Sequence, residues 1–300
     1  MLGILGFGRP ESRAPKSESP VPDATVTAII LEVNEERIDL TTDGGVMDCY
    51  VHRPDGRAEA RDGTARAEAG PWPAVVFYMD ALGIRPDLLG MADRLASHGY
   101  VVIVPNLYYR TGPHAPFDPA AAFTEGPERD RMLRYLRAID NALVMKDTAA
   151  CLEFLQRQST VAQGVVGCVG YCMGGRQALM AAGTFPDTVA AAASFHGAAL
   201  ANNRPDSPHL LAPVMRARVY IGVAAIDHNF SPEEKERLVD ALEAGGVRYT
   251  LETYPDARHG FAVTGHPVYD RAASERHWVT LIDFLNDAFK PVNTSARSRR

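Results

Sequence analysis

Three hundred residues, 46% of them hydrophobic, are enough to bury a sizeable core, and a net charge of −6 offers no extended positive field for phosphate backbones, which excludes nucleic acid as a partner. No apolar run approaches the ~20 residues that span a bilayer, so no membrane role is expected. Four cysteines without a Cys-x-x-Cys pair argue against a disulfide framework and a zinc site, and a reducing cytoplasm is the expected setting.

In chain order, residues 9–23 are rich in Pro, Ser and charge and cannot offset their ordering entropy by burial, so 1–24 read as a flexible leader. Gly3-Ile-Leu-Gly-Phe-Gly8 follows no strand and lacks the Lys-Ser/Thr ending of a phosphate loop. Two β-rich segments come next, 26–31 and 46–53, with Asp43-Gly44-Gly45 as turn chemistry before the second. The polar stretch 55–70 reads as a surface loop. Beyond it the apolar runs 74–79, 100–104, 164–169, 189–195 and 219–224, and the β-patterned 249–254, alternate with helical periodicity. Leu88, Leu89, Met91, Ala92 and Leu95 mark one helix, and 132–155 holds one long helix or two consecutive ones. Continuous apolar strands separated by helices predict an α/β class: a mostly parallel central sheet with helices on both faces, with room for an antiparallel start. The body is expected over 25–289, and 290–300, ending in Arg297, Arg299 and Arg300, reads as a basic flexible tail.

The strongest local signal is Gly164-Val-Val-Gly-Cys-Val-Gly170-Tyr171-Cys172-Met173-Gly174-Gly175, a strand running into a Gly-x-Cys-x-Gly turn and then a helix. This is a nucleophile elbow with sulfur in place of the usual hydroxyl. A cysteine just before a helix meets unpaired N–H groups and the positive dipole end, which favour thiolate. Asp227 and His259 follow in chain order, each just beyond an expected parallel strand, so both loops open at the carboxyl edge where the elbow lies. Cys172, Asp227 and His259 therefore form the expected catalytic triad: His259 carries the proton and Asp227 fixes its tautomer. The mechanism needs no cofactor, and the nine histidines show no metal-ligand spacing. Cys49, Cys151 and Cys168 fit packing positions, and His196 and His228 read as hydrogen-bonded structural histidines near the sheet edge.

These motifs, with Tyr78-Met-Asp-Ala-Leu-Gly-Ile, the segment from His98-Gly-Tyr to Tyr-Tyr-Arg110, Ala225-Ile-Asp-His and Ala257-Arg-His-Gly-Phe, make the chain resemble the dienelactone hydrolase family of α/β-hydrolases over roughly 46–285. The resemblance implies the α/β-hydrolase fold and a small-molecule ester or lactone substrate, cleaved through an acyl-thioenzyme. It also implies an oxyanion hole from the backbone N–H groups of Met173 and Ala81, a thiol-facing loop carboxylate at Asp80, and Arg110 as a binder of the substrate carboxylate. Tyr171, inside the elbow, is grouped with them on the substrate side. Asp80 stands where the family usually has the longer Glu, and gating or capping are equally open to it. Val263 stands where a second carboxylate-binding arginine is expected, so the pocket should be less cationic and the substrate should carry one carboxylate or none. A general carboxylesterase or thioesterase, and a non-catalytic ligand-binding fold, are the competing readings. Oligomeric state is not legible.

Overall fold

The computed structural model describes residues 30–59, 65–67 and 70–290. The expected leader, most of the strand at 26–31, and the tail beyond Lys290 lie outside them.

The chain opens with a long antiparallel hairpin, β1 (Leu31–Thr42) and β2 (Gly45–Glu59), paired from Leu31 opposite Ala58 to Thr42 opposite Gly45. The sequence pattern did not mark 32–42 as strand. Glu35, Glu36, Arg37 and Asp39 obscure the alternation of Ile38 and Leu40, but β1 is an edge strand, and charges on a solvent-facing edge are tolerated. β2 also outruns the expected strand, and the short β3 (Ala65–Ala67) pairs with it inside what read as a loop.

The α/β body follows: β4 (Trp72–Tyr78), α1 (Pro86–Ala96), β5 (Val101–Pro105), α2 (Pro127–Arg137), α3 (Asn141–Gln156), β6 (Val161–Tyr171), α4 (Met173–Thr184), β7 (Val189–Phe195), β8 (Arg218–Ile226), α5 (Pro232–Ala244), β9 (Tyr249–Arg258) and α6 (Arg271–Phe289). The ambiguous stretch 132–155 falls within two helices, α2 and α3, because Asp140 caps the second, its carboxylate accepting the Leu143 N–H at 2.9 Å.

The described strands form one nine-stranded sheet in the order β1-β2-β5-β4-β6-β7-β8-β9, with β3 on β2. The pairs β1/β2 and β2/β5 are antiparallel and all pairs from β5/β4 onward are parallel. Every residue of β5, and 74–78 of β4, is buried, so the helices cover both faces and the central strands carry continuous apolar runs. Among the described residues no helix is long and apolar enough to cross a membrane.

Candidate active site

Strand register assembles the site. Tyr171 of β6 pairs with Phe195 of β7, so Cys172 and His196 are each the next residue beyond a paired position. At the far side, Ile226 of β8 pairs with Arg258 of β9 after a register shift, so Asp227 and His259 also emerge side by side. All four leave the carboxyl edge of the parallel sheet, where crossover connections leave room for a cleft.

Cys172 sits at φ 55° and ψ −118°, a region that costs a non-glycine residue roughly 1–3 kcal/mol. The turn is pinned by hydrogen bonds. The Cys172 N–H donates to the Phe195 carbonyl at 3.1 Å, and its own carbonyl accepts from the N–H groups of Gly175 and Ala198 at 3.1 and 3.2 Å. The flanking glycines are sterically required: a Cβ on Gly170 would collide with the Gly174 carbonyl, and one on Gly174 would lie 2.5 Å from the Tyr78 oxygen. Cys172 thereby occupies the N-cap of α4, beside first-turn N–H groups without intrahelical acceptors.

The structure brings Cys172, His259 and Asp227 together. His259 Nδ1 bonds Asp227 Oδ2 at 2.8 Å, and His259 and Cys172 line the same cavity, close enough for the sulfur to act on the imidazole. The other Asp227 oxygen accepts the Asn229 N–H at 2.8 Å, so both oxygens are held. Burial alone would lower the His259 pKa, but the charge of the neighbouring Cys172 and the hydrogen bond to the Asp227 carboxylate outweigh it, and His259 is pushed up to about 10. Ala81 and Met173 line the same cavity as Cys172. The Tyr108 hydroxyl donates to the Ala81 carbonyl at 2.8 Å and rests 3.8 Å from the Met173 sulfur, which holds the two backbones close.

The residues expected on the substrate side are placed differently. Asp80 is buried and takes a two-pronged bond from Arg85 at 2.7 and 2.8 Å while also accepting the Leu82 N–H at 3.0 Å. It anchors the turn that presents Ala81, as a capping residue would, and it also lines a small recess with Cys172 and His259. Arg110 grips the buried Asp147 with both terminal nitrogens, lies over the Tyr109 ring and does not line the Cys172 cavity. Its charge is paired with Asp147 outside the cavity on which Cys172 opens. Tyr171 is fully buried, packed between Phe77 and Phe195 with its hydroxyl 2.8 Å from His277 Nε2. Its side chain supports the sheet and does not reach the cavity.

Val263 is wholly buried and does not line the Cys172 cavity. Among the described residues that cavity, of about 660 Å³, is lined by four arginines, Arg129, Arg137, Arg176 and Arg204, and by one acidic residue, Asp206. It is therefore cationic. Its apolar wall comes from α2 through Met132, Leu133 and Leu136. Sequence reading missed these arginines because they come from α2, α4 and the loop after β7, separated in the chain and carrying no motif beyond the Gly-Gly-Arg ending of the elbow.

His196 was also read otherwise. It is fully buried at φ 37°, neither ring nitrogen has a hydrogen-bond partner among the described residues, and its ring meets that of His259 edge-on at 5.1 Å. Burial holds it well below the usual histidine range, hence neutral. His266, also on the cavity, is lowered to about 4, again by burial. His228 is exposed and outside the lining. Away from the site, Glu35, His52 and Asp93 bring three potential ligand atoms within 4.8 Å of one another, and His52 already bonds Asp93 at 2.7 Å.

Comparison with known proteins adds the family. A family model described as the dienelactone hydrolase family matches residues 61–289. A carboxymethylenebutenolidase from Pseudomonas putida is 26% identical over 216 residues, covering 72% of this chain and 86% of its own. Among solved structures, a dienelactone hydrolase-like promiscuous phosphotriesterase from metagenomic libraries aligns with TM-score 0.68 at 22% identity, over 86% of this chain and 99% of its own. A dienelactone hydrolase from Anabaena variabilis aligns with TM-score 0.59 at 18% identity, over 85% of this chain and 98% of its own. At these identities the two structures establish a shared fold.

Proposed function

The chain belongs to the dienelactone hydrolase family, and we propose that it cleaves an ester or lactone through an acyl-thioenzyme on Cys172, with His259 as proton carrier and Asp227 as the group that orients it. The observation that carries this reading is the convergence on one cavity of Cys172, at the head of α4, and His259, which is hydrogen-bonded to Asp227.

In the resting site the raised imidazole is protonated beside the sulfur. The Cys172 thiolate attacks the substrate carbonyl carbon, and the developing oxyanion is met by the N–H groups of Met173 and Ala81, each donor worth roughly 2.7–4 kcal/mol by analogy with other oxyanion holes. Collapse breaks the bond to the alkoxide or enolate, which takes the His259 proton.

Acylation then changes the base. A thioester carries no charge, so the strongest influence raising His259 disappears while burial, the largest influence of all, continues to lower it. The neutral imidazole accepts a proton from water, the hydroxide adds to the acyl carbon, and the thiolate leaves as the carboxylic product is released. The same histidine is acid in the first half and base in the second because the charge on sulfur comes and goes.

A general carboxylesterase or thioesterase is the second reading, favoured by a cavity of about 660 Å³ with an apolar α2 wall, which suits substrates larger than a small lactone. Turnover of dienelactone, p-nitrophenyl acetate and an acyl thioester by the wild type and Cys172→Ala tests both. Cysteine-dependent preference for dienelactone supports the lactonase, and cysteine-dependent turnover of only the other two supports the generalist. Activity surviving in Cys172→Ala would remove the nucleophile, and no turnover at all would leave a ligand-binding fold.

A further inference from the structure

Arg176 lies four residues after Cys172, on α4, and lines the same cavity. Residues so spaced share one face of a helix, roughly one 5.4 Å turn apart. Its Nε is buried without a hydrogen-bond partner, and the guanidinium forms no hydrogen bond or ion pair with another described residue. The nearest carboxylate does not claim it: Asp206 takes Arg204 Nε on one oxygen at 2.9 Å and Asn141 Nδ2 on the other at 3.0 Å. Burial lowers the Arg176 pKa from the ordinary arginine value, opposed by the charges of Cys172 and Asp206. Arg176 is half-buried, and a buried Nε without a bonded partner is unfavourable unless something else supplies the acceptor. Arg110 is already paired with Asp147 and Val263 is buried, so neither competes for that role.

On the hydrolase reading above, we infer that Arg176 is the anion anchor of the substrate, and that the enzyme takes an ester or lactone bearing a carboxylate. The planar fork of the guanidinium suits a carboxylate held by two parallel bonds. Arg129 and Arg137 reach the cavity from α2 and add the same sign of charge, which draws the anion in. The anchor sits on the helix that carries the nucleophile, so anion and scissile carbonyl are indexed to one rigid element.

The test compares kcat/KM for p-nitrophenyl hydrogen glutarate against neutral p-nitrophenyl pentanoate, and for 4-acetoxybenzoate against phenyl acetate. The first pair carries the charge on the acyl side and the second on the leaving group. The wild type should prefer the charged member of one pair by about tenfold or more, the scale of a charge-assisted hydrogen bond, and the preferred pair identifies the side that bears the anion. Arg176→Leu should bring the ratio to about one, mainly through KM, and Arg176→Lys should retain part of it. The Arg176→Leu melting temperature should equal or exceed that of the wild type, because the residue has no internal partner to lose; a marked fall would make it a structural cation. A ratio near one in both wild-type pairs, or one that survives Arg176→Leu, overturns the anchor. Calorimetric binding of glutarate separates this from failure of the acyl-thioenzyme reading, since it needs no turnover. Glutarate binding that depends on Arg176 without cysteine-dependent hydrolysis overturns that reading alone, and cysteine-dependent hydrolysis without charge discrimination overturns the anchor alone.

Discussion

His259 is governed by opposed influences, and their balance can be read in solution. Burial favours the neutral ring, while Cys172 and Asp227 favour the charged one and prevail, to about 10. Removing Cys172 removes its charge, the largest influence that raises the ring, so the pKa must fall. In Cys172→Ala the His259 ring resonances should titrate well below their wild-type midpoint near 10, and the same fall should follow alkylation of the sulfur to a neutral thioether. An unchanged midpoint, followed by NMR across pH 5–11, roughly the span from below the ordinary histidine value to above the raised one, would mean that Cys172 does not hold the proton on His259. The three residues of this series were legible in the sequence because each lies one step beyond an apolar strand, in the chain order the elbow fold demands. Arg110 and Asp80 were legible as positions but not as roles. Their partners, Asp147 and Arg85, are chosen by packing, and no spacing rule reveals that a guanidinium is already occupied.

Among the elements, α4 carries the tightest constraint. Glycine inside a helix normally costs about 1 kcal/mol against alanine, so Gly174→Ala would be stabilising if propensity decided. It does not decide here: the new Cβ would lie 2.5 and 2.6 Å from the carbonyl oxygens of Tyr78 and Met79, and backbone at the end of a central strand cannot retreat. Gly174→Ala should therefore destabilise by roughly 1–3 kcal/mol, the range for overpacked interiors, and should reduce ester turnover by moving Met173 relative to Ala81. Urea denaturation showing equal or greater stability would mean that α4 stands farther from β4 than the structure places it. The same competition between local signal and tertiary contact explains what was legible among the elements. The buried parallel strands are continuous apolar runs and were found, and α1 was found from one apolar stripe. β1 escaped because its charged residues hide the alternation of Val33, Ile38 and Leu40, which pack against the core, and β3 because three residues paired to β2 are too few to show a pattern.

Across the whole molecule, the sheet order explains why the two proposed oxyanion donors meet. β4 lies between β5 and β6. The connection leaving β4 runs one way, through α1 to β5, and the connection leaving β6 runs the other, through α4 to β7. A crevice opens between the carboxyl ends of β4 and β6, the switch point of the sheet, with Ala81 on one bank and Cys172 and Met173 on the other. His259 and Asp227 arrive from β8 and β9, at the far side of β7, so the complete site draws on strands spread across the parallel half of the sheet. No contiguous fragment holds all of it, and one continuous buried cluster runs from Met47 on β2 to Leu285 on α6. Opening any part of the sheet should consequently dismantle the site, and ester hydrolysis and far-ultraviolet circular dichroism should vanish over the same urea range in a single transition. Activity lost at distinctly lower urea, with the helical signal intact, would instead place the weakest part of the molecule in the loops that join the strands to the site, and would make loop opening, not global unfolding, the event that limits the working enzyme.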